Sequence, residues 1–223
     1  MNDLLKFSSL LTRCIAIAAV LCMIFITGCH SAMSTSHIES RPGPDSLLPH
    51  MVPPPGHGPY TGTVADWPLW FVQHNFGAYC YETYGCKVQY NGFNHVNEPN
   101  DILQISSASI GSKYPANLKA GYLGIRNFPS PAIVTWRSKD GESHSMDVDI
   151  GEIFKDRLVR HNVPREDIPS EIGLGETNII LEVNNRTINV YTRTHVPAKH
   201  LQIPGNRYSD FRDDLICVFT KTY

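Results

Sequence analysis

The stretch NIILEVNNRTINVYTRT, residues 178–194, predicts a β-hairpin and with it the fold class of the chain. Its two halves, 178–183 and 187–194, are rich in β-branched residues, which favour strands. Asn184 and Asn185 lie between them, and asparagine enters the left-handed backbone region of a tight turn at little cost. Apolar and polar residues alternate in the second half, so we expect an antiparallel strand with one buried face.

Further strand-like runs extend the sheet prediction to most of the chain. They are residues 87–91, 102–109, 132–137, 143–149 and 215–222. Between two of them, Lys139-Asp140-Gly141 provides a second hairpin turn. One helix is predicted over about 151–161, where Asp149 can act as the N-cap and the apolar residues follow a helical spacing. The expected fold is therefore mainly β, an antiparallel β-sandwich with one short helix.

The N-terminal residues 1–28 have the features of a bacterial lipoprotein signal peptide. An uncharged run, residues 14–27, follows a basic start and is too short to span a bilayer. The tetrapeptide ITGC then matches a lipobox, in which the thiol of Cys29 is acylated and the bond before it is cut. The acyl chains suffice for stable anchoring, and His30 in place of aspartate favours the outer membrane of a Gram-negative cell. The alternatives are an ordinary signal peptide cut elsewhere and an uncleaved anchor.

Composition divides the rest of the chain into a tether and a domain. Residues 29–65 are rich in proline and glycine and cannot form a core, so we expect a tether that holds the domain away from the membrane. Residues 66–223 are long enough for a single β-rich binding domain, which we expect to face the periplasm. The net charge of −2 gives no reason to expect a nucleic acid partner.

Three cysteines fall in the domain, and an oxidising compartment would allow one disulfide. Cys80 and Cys86 are close in sequence, so their pairing closes the shortest loop and is favoured. A disulfide between Cys86 and Cys217 and a fully reduced set of thiols are the alternatives. Because no histidine lies at a ligand spacing from the pair, we expect no metal site.

The sequence has no recognised catalytic motif. It lacks a Gly-x-Ser-x-Gly elbow, a His-Glu-x-x-His zinc motif, a phosphate loop and a dinucleotide fingerprint, so we expect neither enzymatic activity nor a cofactor. We interpret His95 as a turn residue that binds backbone groups rather than as part of a polar site. His144, Asp147 and Asp149 form either a carboxylate patch or, as we favour, the solvated face of an edge strand.

Two short segments resemble a family of small proteobacterial lipoproteins. Residues 88–95, VQYNGFNH, followed by DILQI at 101–105, match the family's pattern of a strand, a Gly-aromatic-Asn-His turn and a strand after an acidic residue. Residues 128–136, FPSPAIVTW, are similar to its proline-then-strand segment, which ends in tryptophan. The resemblance covers about residues 86–150.

Many of these lipoproteins are immunity proteins encoded beside phospholipase effectors of the type VI secretion system. The resemblance implies that this chain binds such a secreted lipase in the periplasm and neutralises it by occluding its active site. We predict that two groups of charged residues in a turn and a loop make the contact. They are Lys139, Asp140, Glu142, Glu166, Asp167 and Glu171. The alternatives are a structural or assembly accessory lipoprotein of an envelope secretion machine, and a ligand-binding or enzymatic lipoprotein.

Overall fold

A computed structural model describes residues 69–169 and 174–223 of the chain. This part contains eleven strands and is mainly β, as the sequence predicts. The strands are β1 (Gln73–Tyr81), β2 (Thr83–Tyr90), β3 (Phe93–Asn97), β4 (Tyr122–Arg126), β5 (Ala132–Ser138), β6 (Ser143–Val148), β7 (Thr177–Asn184), β8 (Thr187–Arg193), β9 (Val196–Pro197), β10 (Phe211–Arg212) and β11 (Ile216–Thr222). Within these two ranges no helix combines the length and the apolar character that a membrane crossing requires.

Two sheets pack face to face in a sandwich-like arrangement. The first has five strands in the order β11-β8-β7-β1-β4, and the second has four in the order β3-β2-β5-β6. Neighbouring strands are antiparallel except for β1 and β7, which run parallel from His74 to Tyr81 of β1. Strands β9 and β10 form a separate two-stranded ribbon. The predicted fold class is confirmed, with one parallel pair inside it.

The main core lies between the two sheets. Strand β7 contributes Ile179, Leu181 and Val183, and the facing sheet contributes Val88 and Val134, all fully buried. Along each strand these positions recur every second residue, because successive side chains point to opposite faces of a sheet. Removal of this apolar surface from water is the main force that holds the two sheets together.

The outer face of β7 is covered as well, by residues 107–120. This segment begins with a 3₁₀ helix, Ser107–Lys113, and packs the buried Leu118 against Ile180 of β7. Arg193 of β8 holds the segment in place by donating a guanidinium N–H to the carbonyl of Leu118 over 3.2 Å. Because both of its faces are buried, β7 has a nearly continuous run of apolar residues instead of a strict alternation.

The predicted extent of the helix, about 151–161, is wrong. Helix α1 spans only Ile150–Ile153, although Asp149 caps it as predicted, by accepting a backbone N–H of the first turn at 2.9 Å. Beyond α1 the chain turns back on itself, and the N–H of Val159 donates to the carbonyl of Leu69 at 2.9 Å. Hydrogen bonds with residues 69–71 satisfy the backbone groups of Arg157 and Val159. The chain therefore adopts this pairing instead of continuing the helix that its apolar spacing predicts.

The strand predicted at 102–109 is also wrong. Gln104 donates its backbone N–H to the first carbonyl of β2 at 2.9 Å, but the segment itself is irregular before the 3₁₀ helix begins. Pro99 lies just after β3 and has no N–H to continue the pairing with β2. Ile102 and Ile105 consequently remain exposed, instead of alternating into the core.

The strand directions define two ends of the sandwich. Strands β1 and β7 both begin at one end, here called the His74 end, and both finish at the other, the Asp140 end. The two predicted hairpin turns are confirmed and lie together at the Asp140 end, where the Lys139 N–H donates to the Asn185 side chain at 2.9 Å. The β2–β3 turn, α1 and the β9–β10 ribbon lie at the His74 end. At about 3.3 Å per residue, β1 separates the two ends by roughly 26 Å.

Candidate functional site

The first group of predicted contact residues lies at the Asp140 end and is paired within the chain. Lys139 Nζ is 2.8 Å from a glutamate carboxylate of the β1–β2 turn, and Asp140 Oδ2 is 2.6 Å from a guanidinium nitrogen of Arg186. Glu142 binds the same guanidinium. The Ser138 hydroxyl, followed by the Glu142 N–H, holds the pKa of Asp140 down at about 2. These charges therefore connect the β5–β6 turn to its neighbours.

The second predicted group lies at the His74 end. Asp167 is buried, and its Oδ1 accepts the backbone N–H of His200 at 3.1 Å and also binds the His200 ring. Glu166 is exposed, and its backbone carbonyl accepts a hydrogen bond of 2.8 Å from the side-chain ammonium of Lys199. Glu171 lies outside the described residues. The structure thus places the described members of the two groups at opposite ends of the sandwich and does not join them into one surface.

The cysteine pairing favoured from the sequence is the one that the structure contains. Cys80 and Cys86 form a disulfide with a Cα–Cα distance of 6.4 Å. Because Cys80 belongs to β1 and Cys86 to β2, the bond joins one sheet to the other. Cys217, on the edge strand β11, is a free and exposed thiol. Cys29 lies outside the described residues, so its acylation stays a prediction.

The two histidines noted in the sequence have partners within the fold. His95 Nε2 donates to the carbonyl of Tyr90 at 3.1 Å across the β2–β3 turn, and burial lowers the pKa of His95. His144 Nε2 is 3.0 Å from the Ser138 hydroxyl, and its ring stacks on Trp136 with centroids 5.0 Å apart. Over the described ranges, no three His, Cys, Asp or Glu side chains are grouped so that they could hold a metal ion.

A buried chain of hydrogen bonds at the His74 end has no counterpart in the sequence predictions. The Tyr90 hydroxyl donates to His74 Nε2 at 3.1 Å, and His74 Nδ1 donates to Asn127 Oδ1 at 2.7 Å. Asn127 Nδ2 in turn donates to the carbonyl of Phe71 at 2.9 Å. Burial lowers the pKa of His74 to about 4, although the bond to Asn127 opposes the shift. The imidazole is therefore neutral, and its tautomer follows from its partners, because an amide oxygen can only accept.

A shallow groove of about 380 Å³ borders the β2–β3 turn. Residues 89–92 form one wall, and residues 129–131 with Ile133 form the other. The two walls come from paired strands, since Gln89 of β2 lies opposite Ile133 of β5. Residues 88–95 and 128–136 of the resemblance therefore meet in this groove, whereas residues 101–105 lie at the Asp140 end.

A second shallow groove, of about 400 Å³, opens between the edge strands β3 and β4. Its walls include Phe76, His95 and Tyr122. Phe93 follows Gly92, which lines the first groove, and precedes Asn94, which lines the second. It is 52% exposed, and its ring centroid is 4.7 Å from that of Tyr122. We call the two grooves, together with Phe93 and Ile133, the hairpin surface.

We compared the chain with protein-family models, with curated proteins and with solved structures, and none matched. The assignment of function consequently rests on the chain's own sequence and geometry. The hairpin surface is the candidate site, because exposed apolar side chains and concave surface coincide there.

Proposed function

We propose that this protein is a lipid-anchored immunity protein of the bacterial envelope. It binds a lipase or phospholipase effector of the type VI secretion system in the periplasm and occludes its active site. Two features of the sequence support the proposal: the lipobox that ends at Cys29, and the resemblance of residues 88–95 and 128–136 to immunity lipoproteins.

One observation carries the proposal. Residues 88–95 and 128–136 of the resemblance are separated by more than thirty residues of sequence, yet they lie on paired strands and line a single groove. Residues 101–105 lie at the other end of the sandwich. A resemblance confined to core positions would indicate a shared fold only. Here it includes Phe93 and Ile133, whose side chains are exposed, so a shared binding surface is the better explanation.

The chemistry of the hairpin surface suits a protein partner. Ile133 supplies exposed apolar area among the polar residues Gln89, Asn91 and Ser130 of the first groove. Phe93 supplies further exposed apolar area at the β2–β3 turn, beside Tyr122 of the second groove. Protein interfaces commonly combine an apolar centre rich in aromatic residues with a polar rim. Phe93 is accordingly the residue that we expect to contribute most to binding.

The disulfide supports the proposed compartment. Disulfides persist in oxidising surroundings such as the bacterial periplasm and are rare in the cytosol. The bond between Cys80 and Cys86 therefore agrees with export of the domain, and the lipobox supplies the signal for that export.

We place the main contact on the hairpin surface rather than on the charged residues predicted first. Lys139, Asp140 and Glu142 each bind a charged side chain of the same domain, and Asp167 binds His200. Exposed ion pairs of this kind contribute little net free energy, so we expect less binding energy from these charges than from burial of exposed apolar area at Phe93 and Ile133.

The test is co-expression of the full-length protein with the lipase encoded beside it, both exported to the periplasm. We expect the wild-type protein to bind the lipase and to restore growth. The double variant Phe93→Asp/Ile133→Asp should lose both properties, because it places a carboxylate at each exposed apolar side chain of the hairpin surface. Ile102→Asp is the control at the Asp140 end, where Ile102 is 55% exposed. Because Ile102 belongs to residues 101–105 of the resemblance, unchanged binding by this variant would assign the contact to the hairpin surface and not to the resemblance as a whole.

Two results would count against the proposal. If the wild-type protein neither binds the lipase nor protects the cells, the immunity function is wrong. If the control loses binding to the same degree as the Phe93→Asp/Ile133→Asp variant, the effect is unspecific and the hairpin surface is not the contact. Purified variants with unchanged circular dichroism spectra exclude misfolding as the cause.

A further inference from the structure

The loop between β9 and β10 exposes large apolar side chains to solvent. Ile203 is 57% exposed and Tyr208 is 67% exposed, and Leu201 is exposed as well. None of these residues belongs to the segments that resemble the lipoprotein family. We call residues 199–208 the ribbon loop.

The ribbon loop is held in one conformation by its own backbone. Ile203 and Asn206 close a turn through an N–H to carbonyl bond of 3.0 Å, with Pro204 and Gly205 between them. Gly205 has a φ of +80°, which fits the third position of a type II turn, where glycine is favoured. The buried Ser209 supports the turn by accepting the N–H of Ile203 at 3.0 Å and donating to the carbonyl of Asn206 at 2.8 Å.

The base of the ribbon loop is fixed as well. The N–H of Ala198 donates to the carbonyl of Asp210 at 2.8 Å, and His200 binds the buried Asp167. The apolar side chains are therefore carried by a loop that is already ordered. A loop of this kind loses little conformational entropy when it binds, which favours affinity.

The charge of the ribbon loop differs from that of the whole chain. Residues 199–208 include Lys199 and Arg207 and no aspartate or glutamate, whereas the chain carries a net charge of −2. The Arg207 guanidinium lies over the Tyr208 ring, 4.6 Å from its centroid. Tyrosine and arginine are also the residue types that most often dominate the binding energy of protein interfaces.

We infer that the ribbon loop inserts into a concave, apolar cleft with an acidic rim on the partner protein. The inference rests on the proposed function, in which the partner is a lipase and the cleft is the one that receives the acyl chain of its substrate. Ile203 and Leu201 would enter the apolar cleft, and Arg207 would meet the acidic rim. The loop follows β8, which ends at the His74 end of the sandwich, the end at which the β2–β3 turn of the hairpin surface also lies.

A membrane surface is the competing partner for a loop that is both apolar and basic. Two basic residues give only weak attraction to anionic lipid, and a polar residue, Gln202, separates Leu201 from Ile203. These features favour the protein cleft. Vesicle binding is included in the experiment as a separate measurement.

The experiment measures the dissociation constant of the full-length protein, purified in detergent, for the adjacent lipase. Ile203→Asp and Tyr208→Ala should each weaken binding by about 30-fold, the effect expected of a central interface residue. The matched control, Ile102→Asp, should stay within about threefold of the wild-type value, because its side chain is equally exposed at the opposite end. The same variants are then tested for binding to vesicles of phosphatidylethanolamine and phosphatidylglycerol.

The outcomes separate this inference from the proposed function. If the wild-type protein binds the lipase and both loop variants bind equally well, the ribbon loop is not the inserting element, while the immunity function stands. If the loop variants keep lipase binding but lose vesicle binding, the loop contacts lipid and the inference is overturned. If the wild-type protein does not bind the lipase, the proposed function fails and this inference fails with it.

Discussion

Acidification should destabilise this protein through His74. The side chain is fully buried, and burial lowers its pKa to about 4 from an ordinary value of 6.5. In the unfolded chain the imidazole is in water and takes up a proton near the ordinary value. Protonation in the folded state would place a charge beside the Tyr90 hydroxyl and the Asn127 amide in the core.

The sign and size of the effect follow from the two pKa values. Because the pKa is lower in the folded state, the unfolded state binds the proton first as the pH falls. The contribution of neutral His74 is therefore complete above pH 6.5 and is lost between pH 6.5 and about 4. At about 1.4 kcal/mol per pKa unit, the expected loss over this window is about 3 kcal/mol.

The assay is urea unfolding of the wild-type protein and of a His74→Gln variant at several pH values across this window. Glutamine can still donate and accept a hydrogen bond but does not titrate, so the variant should show a flatter dependence of stability on pH. Burial also lowers the pKa of His95 and His161, but both residues are present in each protein and their contributions cancel in the comparison.

The comparison can refute the reasoning in two ways. Parallel pH profiles for the wild-type protein and the variant would mean that His74 does not couple protonation to folding. A nuclear magnetic resonance titration in which the His74 ring of the folded protein changes charge near pH 6.5 would mean that burial does not lower its pKa.

Three further predictions concern the disulfide, a close backbone approach and the anchor. Replacing Cys80 and Cys86 by alanine should lower the free energy of unfolding by about 2 kcal/mol in urea titrations, the loop-closure value for a loop this short. Gly77→Ala should cost about 1–3 kcal/mol in thermal unfolding, because an added Cβ would clash with the backbone carbonyl oxygen of Lys119. Gly121→Ala, with no atom within 4 Å of the added Cβ, is its control. Cys29→Ser should move the protein from the membrane fraction to the soluble periplasmic fraction, as measured by immunoblot.

Each of these predictions has a clear negative result. An unchanged urea midpoint in the double alanine variant would show that the disulfide does not stabilise the domain. Equal melting temperatures for the two glycine variants would contradict the close backbone approach. Retention of the Cys29→Ser variant in the membrane fraction would contradict the lipobox assignment.

The hairpins were predictable because their signals are local. Alternating residues in β8 and turn-forming residues at Asn184–Asn185 and Asp140-Gly141 lie within a few positions of each other. The sequence does not predict strand β1, because the pairing that stabilises it is not local in sequence. It lies between two other strands, and its neighbour β7 is about a hundred residues away in sequence, as the bond from Asn75 to Asn178 illustrates. Its polar residues are satisfied only after that pairing forms.

In the candidate site, too, contacts between residues far apart in sequence could not be predicted. The sequence predicts Asp140 and Glu142 as contact residues, and nothing near them in sequence indicates that Arg186 of the β7–β8 turn binds both. The ribbon loop does carry a turn signal in Pro204-Gly205. Its exposure depends on the β9–β10 pairing, which no short pattern in the sequence indicates.

The path of the backbone has a consequence for how a captured enzyme would be oriented. The described chain enters the sandwich at the His74 end, near Leu69, whereas Tyr223 lies at the Asp140 end, where its N–H donates to the Arg186 carbonyl at 3.1 Å. If the protein is an immunity protein anchored at Cys29, the sequence that leads to the anchor joins the domain at the end that carries the hairpin surface and the ribbon loop. A bound lipase and the start of the described chain would then share one end of the sandwich, and the end with Tyr223 would stay uncovered.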